Sequence, residues 1–281
     1  MYRMDKNLIS VIVTAYNRKE FILDALKSAV NQTLNKKYFE IIVIKNFEDE
    51  LIDNFINKNN IKNIIMNGTV GEYLYKGIEE SRGEIICFLD DDDLFFTNKL
   101  EYINYIFSKD KVLGYFHNDA LNISPEGERL KKIQKNNIDF NISSISIRKN
   151  IIDKQLLKKI WTAPDTLLYI FGLESNKRII NSNKKLNFYR IHNNNTTTNI
   201  KWFKEYKSQL ENFNSLSMNK RVRQLLKRHI LMVNIVIKLT EKNGISIRDG
   251  IYYFTFLFIN LQKSLIIMLV KNIFGKYINH P

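Results

Sequence analysis

Cysteine is nearly absent. A single residue, Cys87, rules out an intramolecular disulfide and any cysteine-rich metal site. It sits inside an apolar run and reads as a small core residue. Glycine-rich phosphate loops are missing too: no Gly-x-Gly-x-x-Gly follows the first apolar run, and there is no Walker-type Lys. Any phosphate must therefore be held by other means. No internal repeat or low-complexity linker appears. Proline is scarce at three residues, while Asn, Ile and Lys abound, a bias that reflects genome composition more than mechanism. No signal-peptide pattern opens the chain, and with one thiol the expected setting is reducing and cytoplasmic.

What is present is ordinary globular composition with an excess of positive charge. The formal net charge is +14 over 281 residues, and 44% of the residues are hydrophobic. Such a chain has room for a sizeable core. The charge is uneven: from Lys201 onward there are fourteen Lys or Arg against four Asp or Glu. A basic end suits an anionic surface such as membrane headgroups or a phosphorylated substrate. Nucleic acid is not the expected partner, because no groove-reading or stacking motif accompanies the charge.

The densest chemistry lies where Ile85-Ile86-Cys87-Phe88-Leu89 runs into Asp90-Asp91-Asp92-Asp93. The apolar run reads as a buried strand. Four carboxylates where a parallel strand leaves its sheet lie where open α/β folds bind ligands. Clustered hard oxygens suit Mg²⁺ or Mn²⁺, commonly shared with a substrate phosphate. The alternative is a charged turn with no ligand.

Around it the first ninety residues alternate. Leu8–Val13, Phe39–Ile44 and Ile61–Met66 read as strands. Phe21–Ala29, Leu51–Ile56 and Gly71–Ser81 carry helical spacing, the last despite Gly77. That alternation predicts a mainly parallel sheet with right-handed crossovers. The next hundred residues are more mixed. A helix is expected over Leu100–Phe107 and a strand over Val112–His117, with a hairpin tip within Leu121–Arg129. A half-exposed strand is expected over Ser143–Arg148, helical spacing after Pro164, and a strand over Lys185–Ile191. From about residue 200 the pattern is helical. The apolar stretches Ile251–Ile259 and Leu265–Val270 are broken by Asn260, Gln262, Lys263 and Ser264. A spanning helix needs about 20 apolar residues, so interfacial helices with Lys at the headgroups are expected. Packing on the domain or on a twin subunit is the alternative. The expected organisation is an α/β domain over 1–205 and a basic helical extension over 206–281.

Several motifs together resemble the family 2 glycosyltransferases of the GT-A fold. They are Ser10-Val11-Ile12-Val13-Thr14-Ala15-Tyr16-Asn17-Arg18, Leu26 to Thr33, Glu40 to Ile44, Ser81-Arg82-Gly83-Glu84 through Asp93, and Tyr189-Arg190-Ile191-His192. The similarity runs over roughly residues 7 to 200. It implies inverting transfer of a sugar from a nucleotide-linked donor, UDP-sugar first and GDP-sugar next, to a glycan or lipid-linked acceptor. It also implies Mn²⁺ or Mg²⁺ held by Asp92 with Asp90 and His192. Asp90 or Asp91 falls to the ribose side, Ala15 and Tyr16 to the nucleobase, Arg190 to the diphosphate, and Asp165 to the acceptor as general base. Peripheral contact at the cytoplasmic face of a membrane would follow from the C-terminal region.

Two departures stand out. Where the family's second strand usually ends in a carboxylate pair that meets the uracil, this chain has Lys45-Asn46-Phe47. Asn46 can still bond a base edge, since its amide both donates and accepts. The Arg-Asn-x-Gly common before the fourth strand is here Leu74-Tyr75-Lys76-Gly77. The Lys45-Asn46 pair is also the best support for a different class, a binding or scaffold protein that keeps the fold with weak or no transferase activity.

Overall fold

The computed structural model describes residues 8–130, 141–192, 200–214 and 219–241. These fall into two compact units, one of residues 8–130 and 141–192, the other of 200–214 and 219–241.

The first unit is built on one eight-stranded sheet. In chain order its elements are β1 (Ile9–Ala15), α1 (Ile22–Val30), β2 (Phe39–Lys45), α2 (Glu50–Lys58), β3 (Lys62–Ile65), α3 (Val70–Glu80) and β4 (Ile85–Asp90). Then come β5 (Leu94–Phe95), α4 (Lys99–Lys109), β6 (Leu113–Ile123), β7 (Ile145–Arg148), α5 (Lys154–Lys158), α6 (Pro164–Glu174) and β8 (Arg178–Arg190). The sheet order is β3-β2-β1-β4-β7-β6-β8-β5. The first four strands in that order are parallel, and β7 then runs antiparallel to both β4 and β6. From β1 the chain winds outward to β2 and β3, and α3 then carries it back to β4 on the other side of β1. The C-terminal ends of β1 and β4 thus form the switch point where open sheets take ligands.

Burial on both faces explains the near-continuous apolar runs. Ile9, Val11, Ile12 and Val13 of β1 and Ile85 to Leu89 of β4 are fully buried, Cys87 among them. Gly77, which weakens α3 as a helix former, lets that helix approach the sheet. A Cβ there would lie 2.7 Å from Cγ2 of Ile12 and 2.9 Å from Cδ1 of Ile44. A capping box of Thr69 and Glu72 starts the same helix.

Three features differ from the sequence expectation. The alternation of Ser144, Ser146 and Arg148 with Ile145 and Ile147 predicts a half-exposed strand, but β7 lies between β4 and β6 and is buried throughout. Its polar side chains face protein partners: Ser146 Oγ lies 3.3 Å from Cys87 Sγ, and Arg148 Nε donates to the Leu113 carbonyl at 2.8 Å. Strand β8 begins at Arg178, seven residues earlier than expected, because its first part pairs with β6. Directly after the acidic run, the short β5 pairs with Phe188 and Asn187 of β8.

In the second unit, α7 (Ile200–Asn214) and α8 (Lys220–Thr240) pack on each other, and Leu210, Phe213, Val222, Leu226 and Val233 are buried. Lys204 pairs with Glu241. Among the described residues no helix is long and apolar enough to cross a membrane. The apolar stretches within 251–270 and the Asn/Thr run after His192 lie outside the described residues.

Candidate active site

The acidic turn is shaped by its neighbours before any ligand is considered. Asp90 ends β4, and its backbone N–H donates to Ser143 Oγ at 3.0 Å. The Phe95 N–H donates to Ser28 Oγ at 3.0 Å. Gln32 clamps the following segment, donating to the Phe96 carbonyl and accepting from the Leu100 N–H, each at 2.9 Å. Ser28 on α1 and Gln32 just after it, both in the family-like motif, are thus structural anchors for the turn.

Within it, Asp91, Asp92 and Asp93 are buried, at 3%, 7% and 1% exposure, while Asp90 keeps partial access. Asp90, Asp92 and Asp93 offer carboxylate oxygens that all lie within 4.8 Å of one another. Burial and the three neighbouring carboxylates push the Asp90 carboxyl well up from its ordinary range. Burial and Asp92 raise Asp93 to about 8, against the pull of the Ser143 hydroxyl and the Arg190 N–H. Oδ1 of Asp93 accepts from that N–H at 3.1 Å, while Oδ2 is buried with no hydrogen-bond partner among the described residues. Packed carboxylates with an orphaned oxygen are what a hard divalent cation would satisfy, so this donor set fits Mg²⁺ or Mn²⁺. Asp93, which the sequence reading left without a role, joins Asp90 and Asp92 in it.

Two groups from different elements converge on the turn. Arg18 follows β1, and its guanidinium pairs with both Asp91 and Asp92, reaching Asp92 Oδ2 at 2.8 Å through Nη2. Burial alone would lower the Arg18 pKa, but the three carboxylates Asp90, Asp91 and Asp92 raise it instead. Asp91 is lifted by burial to about 6, with Arg18 opposing the rise. His192 follows β8, and its Nε2 lies 2.9 Å from Asp92 Oδ2 and 3.2 Å from Arg18 Nη1.

Arg190 takes a different place from the one its motif suggests. It is 2% exposed, its Nε donates to the Asp92 carbonyl at 2.9 Å, and Nη1 donates to the Pro125 carbonyl. The guanidinium lies 4.5 Å from the Phe21 ring centre. This geometry belongs to a residue that positions Asp92 from behind, and the expected bidentate grip on a diphosphate does not fit it.

Ala15 is buried at the end of β1. Tyr16 is 59% exposed, its ring 6.2 Å from that of Tyr73. Asn46 pairs with Asn17: it accepts from the Asn17 N–H at 2.8 Å and donates to Asn17 Oδ1 at 2.7 Å. The pair ties the ends of β1 and β2, with Asn17 at a φ of 55°. Lys45 turns away from the ligand side. It is fully buried, donates to the Phe47 carbonyl at 2.6 Å and pairs with Asp53 at 2.9 Å. Its charge is therefore compensated by α2.

Asp165 is in the first turn of α6, behind Ala163 in the left-handed region and Pro164 at the helix start. Burial raises its carboxyl to about 7, against two backbone N–H groups. The neighbouring Tyr115 hydroxyl is buried without a hydrogen-bond partner among the described residues, and burial and then Asp165 raise its pKa. Sequence reasoning also missed Lys99. It is fully buried, donates to Asn118 Oδ1 at 3.0 Å and to the Ser143 carbonyl at 2.5 Å, and is lowered by burial to about 7. Its place at the start of an apolar-spaced helix gave no signal, since Lys is usually exposed there.

The sheet order, the switch point and the carboxylate turn define a GT-A type α/β fold. Residues 10–161 match the family model described as Glycosyl transferase family 2, and the chain belongs to that family. An uncharacterized glycosyltransferase of Rickettsia bellii is 32% identical over 145 residues, which are 48% of this chain and 20% of that protein. A poly(ribitol-phosphate) beta-glucosyltransferase of Bacillus spizizenii is 25% identical over 158 residues, 53% of this chain and 25% of that one. The first of these matches thus spans about a fifth of its relative's length. Among solved structures, S. aureus TarS 1–349 in complex with UDP-GlcNAc aligns with a TM-score of 0.64 at 12% identity, covering 86% of this chain and 77% of that one. The mannosyltransferase PcManGT of Pyrobaculum calidifontis, with GDP-Man and Mn²⁺, aligns at 0.58 and 11% identity, covering 97% and 88%. At these identities the likeness shows the fold.

Proposed function

We propose that the protein is an inverting glycosyltransferase that moves a sugar from a nucleoside-diphosphate donor to an acceptor hydroxyl. The observation that carries the reading is the convergence of Asp90, Asp92 and Asp93 at the switch point, with one buried oxygen unpartnered. Asp92, Asp90 and Asp93 hold the divalent ion, Mn²⁺ or Mg²⁺, with His192 against Asp92 to complete or orient the set. When bound, such an ion neutralises charge developing on the leaving diphosphate. Arg190 fixes the Asp92 backbone. Asp91 is oriented by Arg18, and Asp90, the more accessible carboxylate, faces the ribose side.

The nucleobase lies across Tyr16 and Ala15, with Asn46 at its edge. UDP is the first expectation, supported by the UDP-GlcNAc held by TarS of the same fold. GDP is the second, since PcManGT holds GDP-Man. Asp165 deprotonates the acceptor hydroxyl, and a carboxyl raised to about 7 suits a base working near neutral pH. A glycan or lipid-linked acceptor at a membrane surface is supported by the basic C-terminal residues. The charge of Lys45, the main argument for a scaffold without activity, is compensated by Asp53 inside the fold.

The test is release of nucleoside diphosphate from UDP- and GDP-sugars with Mn²⁺ or EDTA. Metal-dependent release by the native protein that is lost in Asp92→Asn supports the reading. Metal-independent release, or release untouched by the substitution, contradicts it.

A further inference from the structure

The atoms assigned to the divalent ion already face a cation. Arg18 Nη2 lies 2.8 Å from Asp92 Oδ2, and the same group pairs with Asp91. Arg18 Nε adds a second bond to Asp91 Oδ1 at 3.1 Å. Nη1 is 3.2 Å from His192 Nε2, which is itself 2.9 Å from Asp92 Oδ2. Nε2 has a single site: it either donates to Asp92 Oδ2 or accepts from Arg18 Nη1, and in either case it is closed to a metal. One oxygen of Asp92 is thus committed to Arg18, and the His192 nitrogen to this same pair. Asp90 and Asp93 oxygens complete the cluster without it.

Arg18 is also built to leave. Its side chain keeps 27% exposure, whereas those of Asp91, Asp92 and His192 keep 5%, 10% and 6%. It sits in the polar turn after β1, next to Asn17 at positive φ. A planar guanidinium that forks onto a carboxylate matches a phosphate equally well.

We propose that Arg18 is the resident cation of the acidic turn and is exchanged when donor and metal arrive. In the free protein it offsets part of the charge of Asp91 and Asp92 and competes with the divalent ion. When a nucleoside diphosphate enters, the guanidinium moves from Asp92 and His192 to the phosphates, and those two groups become free to ligate. Metal and donor are then coupled through one side chain, and the ion is held firmly only when there is a diphosphate to activate. The inference rests on the metal-assisted reading above and adds the residue that gates it.

The experiment compares the full chain with Arg18→Ala and Arg18→Lys, each checked by far-UV circular dichroism. Mn²⁺ binding without nucleotide is read from the free-ion electron paramagnetic resonance signal. Binding of UDP, and separately of GDP, is read by calorimetry in EDTA. Arg18→Ala is expected to bind Mn²⁺ about tenfold more tightly and the responding nucleotide about tenfold more weakly, a shift of roughly 1.4 kcal/mol each way. Arg18→Lys keeps the charge and is expected to stay nearer the native Mn²⁺ affinity while losing nucleotide. Opposite signs cannot come from a damaged fold, which weakens both. If Mn²⁺ binds the native protein and Arg18→Ala binds it no more tightly, the exchange is overturned and the metal reading stands. If the native protein binds Mn²⁺ but neither nucleotide, the diphosphate half is overturned. If no form binds Mn²⁺ with or without nucleotide, the metal reading falls and the inference with it.

Discussion

The two ends of strands β1 and β4 are made from the same sheet and could hardly differ more. At the N-terminal end Ser10 and Glu40, the strong groups beside the strands, are answered. Ser10 Oγ donates to Glu40 at 2.6 Å and accepts from the Gly83 N–H at 2.8 Å. Glu40 also receives the Arg82 backbone N–H and side chain, at 2.5 and 2.8 Å, and those partners outweigh burial to lower its carboxyl. At the C-terminal end Arg18 answers three of four carboxylates, Asp90 is pushed well up, Asp91 and Asp93 are raised to about 6 and about 8, and an oxygen is orphaned. Both ends carry family-like motifs, yet one is satisfied and the other is frustrated. Such frustration persists where a ligand completes the site. The contrast teaches that a charged motif declares its role through what remains unanswered around it.

The comparison can be broken by substitutions that should separate rate from stability. Asp165 lies in another element, and burial raises it to about 7 despite two backbone N–H groups. Asp165→Asn should lower transfer by roughly 10²–10⁴-fold with nucleotide binding retained. The same base predicts a pH limb. A carboxylate ordinarily ionised above about 4 is protonated here until about 7, and only the deprotonated form accepts a proton. In pH–rate measurements kcat/KM should therefore rise as pH climbs through about 7 and level off above it, and the limb should vanish in Asp165→Asn. Asp92→Asn should cost about 10²–10³-fold in metal-dependent turnover, with circular dichroism unchanged.

The opposite end should respond in stability alone. A Cβ on Gly83 would lie 2.5 Å from the Ser10 backbone nitrogen. Gly83→Ala should lower unfolding free energy by about 1–3 kcal/mol in urea titration, with kcat per folded molecule retained. Ser10→Ala removes one hydroxyl serving two partners and should cost about 1–2 kcal/mol, again without a change in KM. A large rate loss from either would erase the distinction between the two ends.

Much of this was legible in the residues. The alternation of apolar runs with helical spacing carried the parallel half of the sheet, because burial on both faces leaves an unmistakable pattern. The acidic turn stood out for the same reason, as charge set hard against a core strand. What escaped was tertiary. Ser144 and Ser146, before and within β7, look like an exposed face by alternation alone, and only their neighbours reveal that they are buried and partnered. Arg190 sits in a recognisable motif, yet its guanidinium holds the Asp92 backbone, a role set by the fold of β8 around Pro125 and Phe21. Lys45 looks like a misplaced charge until Asp53, eight residues on, is seen to pair with it. The motif around Arg18 assigns it no role, since nothing in the sequence says that it bridges Asp91, Asp92 and His192.

The central claim is that the acidic turn holds a divalent ion that anchors a nucleoside diphosphate. Calorimetric titration of UDP and GDP into the native protein, with Mn²⁺ and with EDTA, tests it most directly. The account predicts that one nucleotide binds at least about tenfold more tightly with Mn²⁺, and that Asp92→Asn loses the difference. Equal affinity with and without the ion would contradict it.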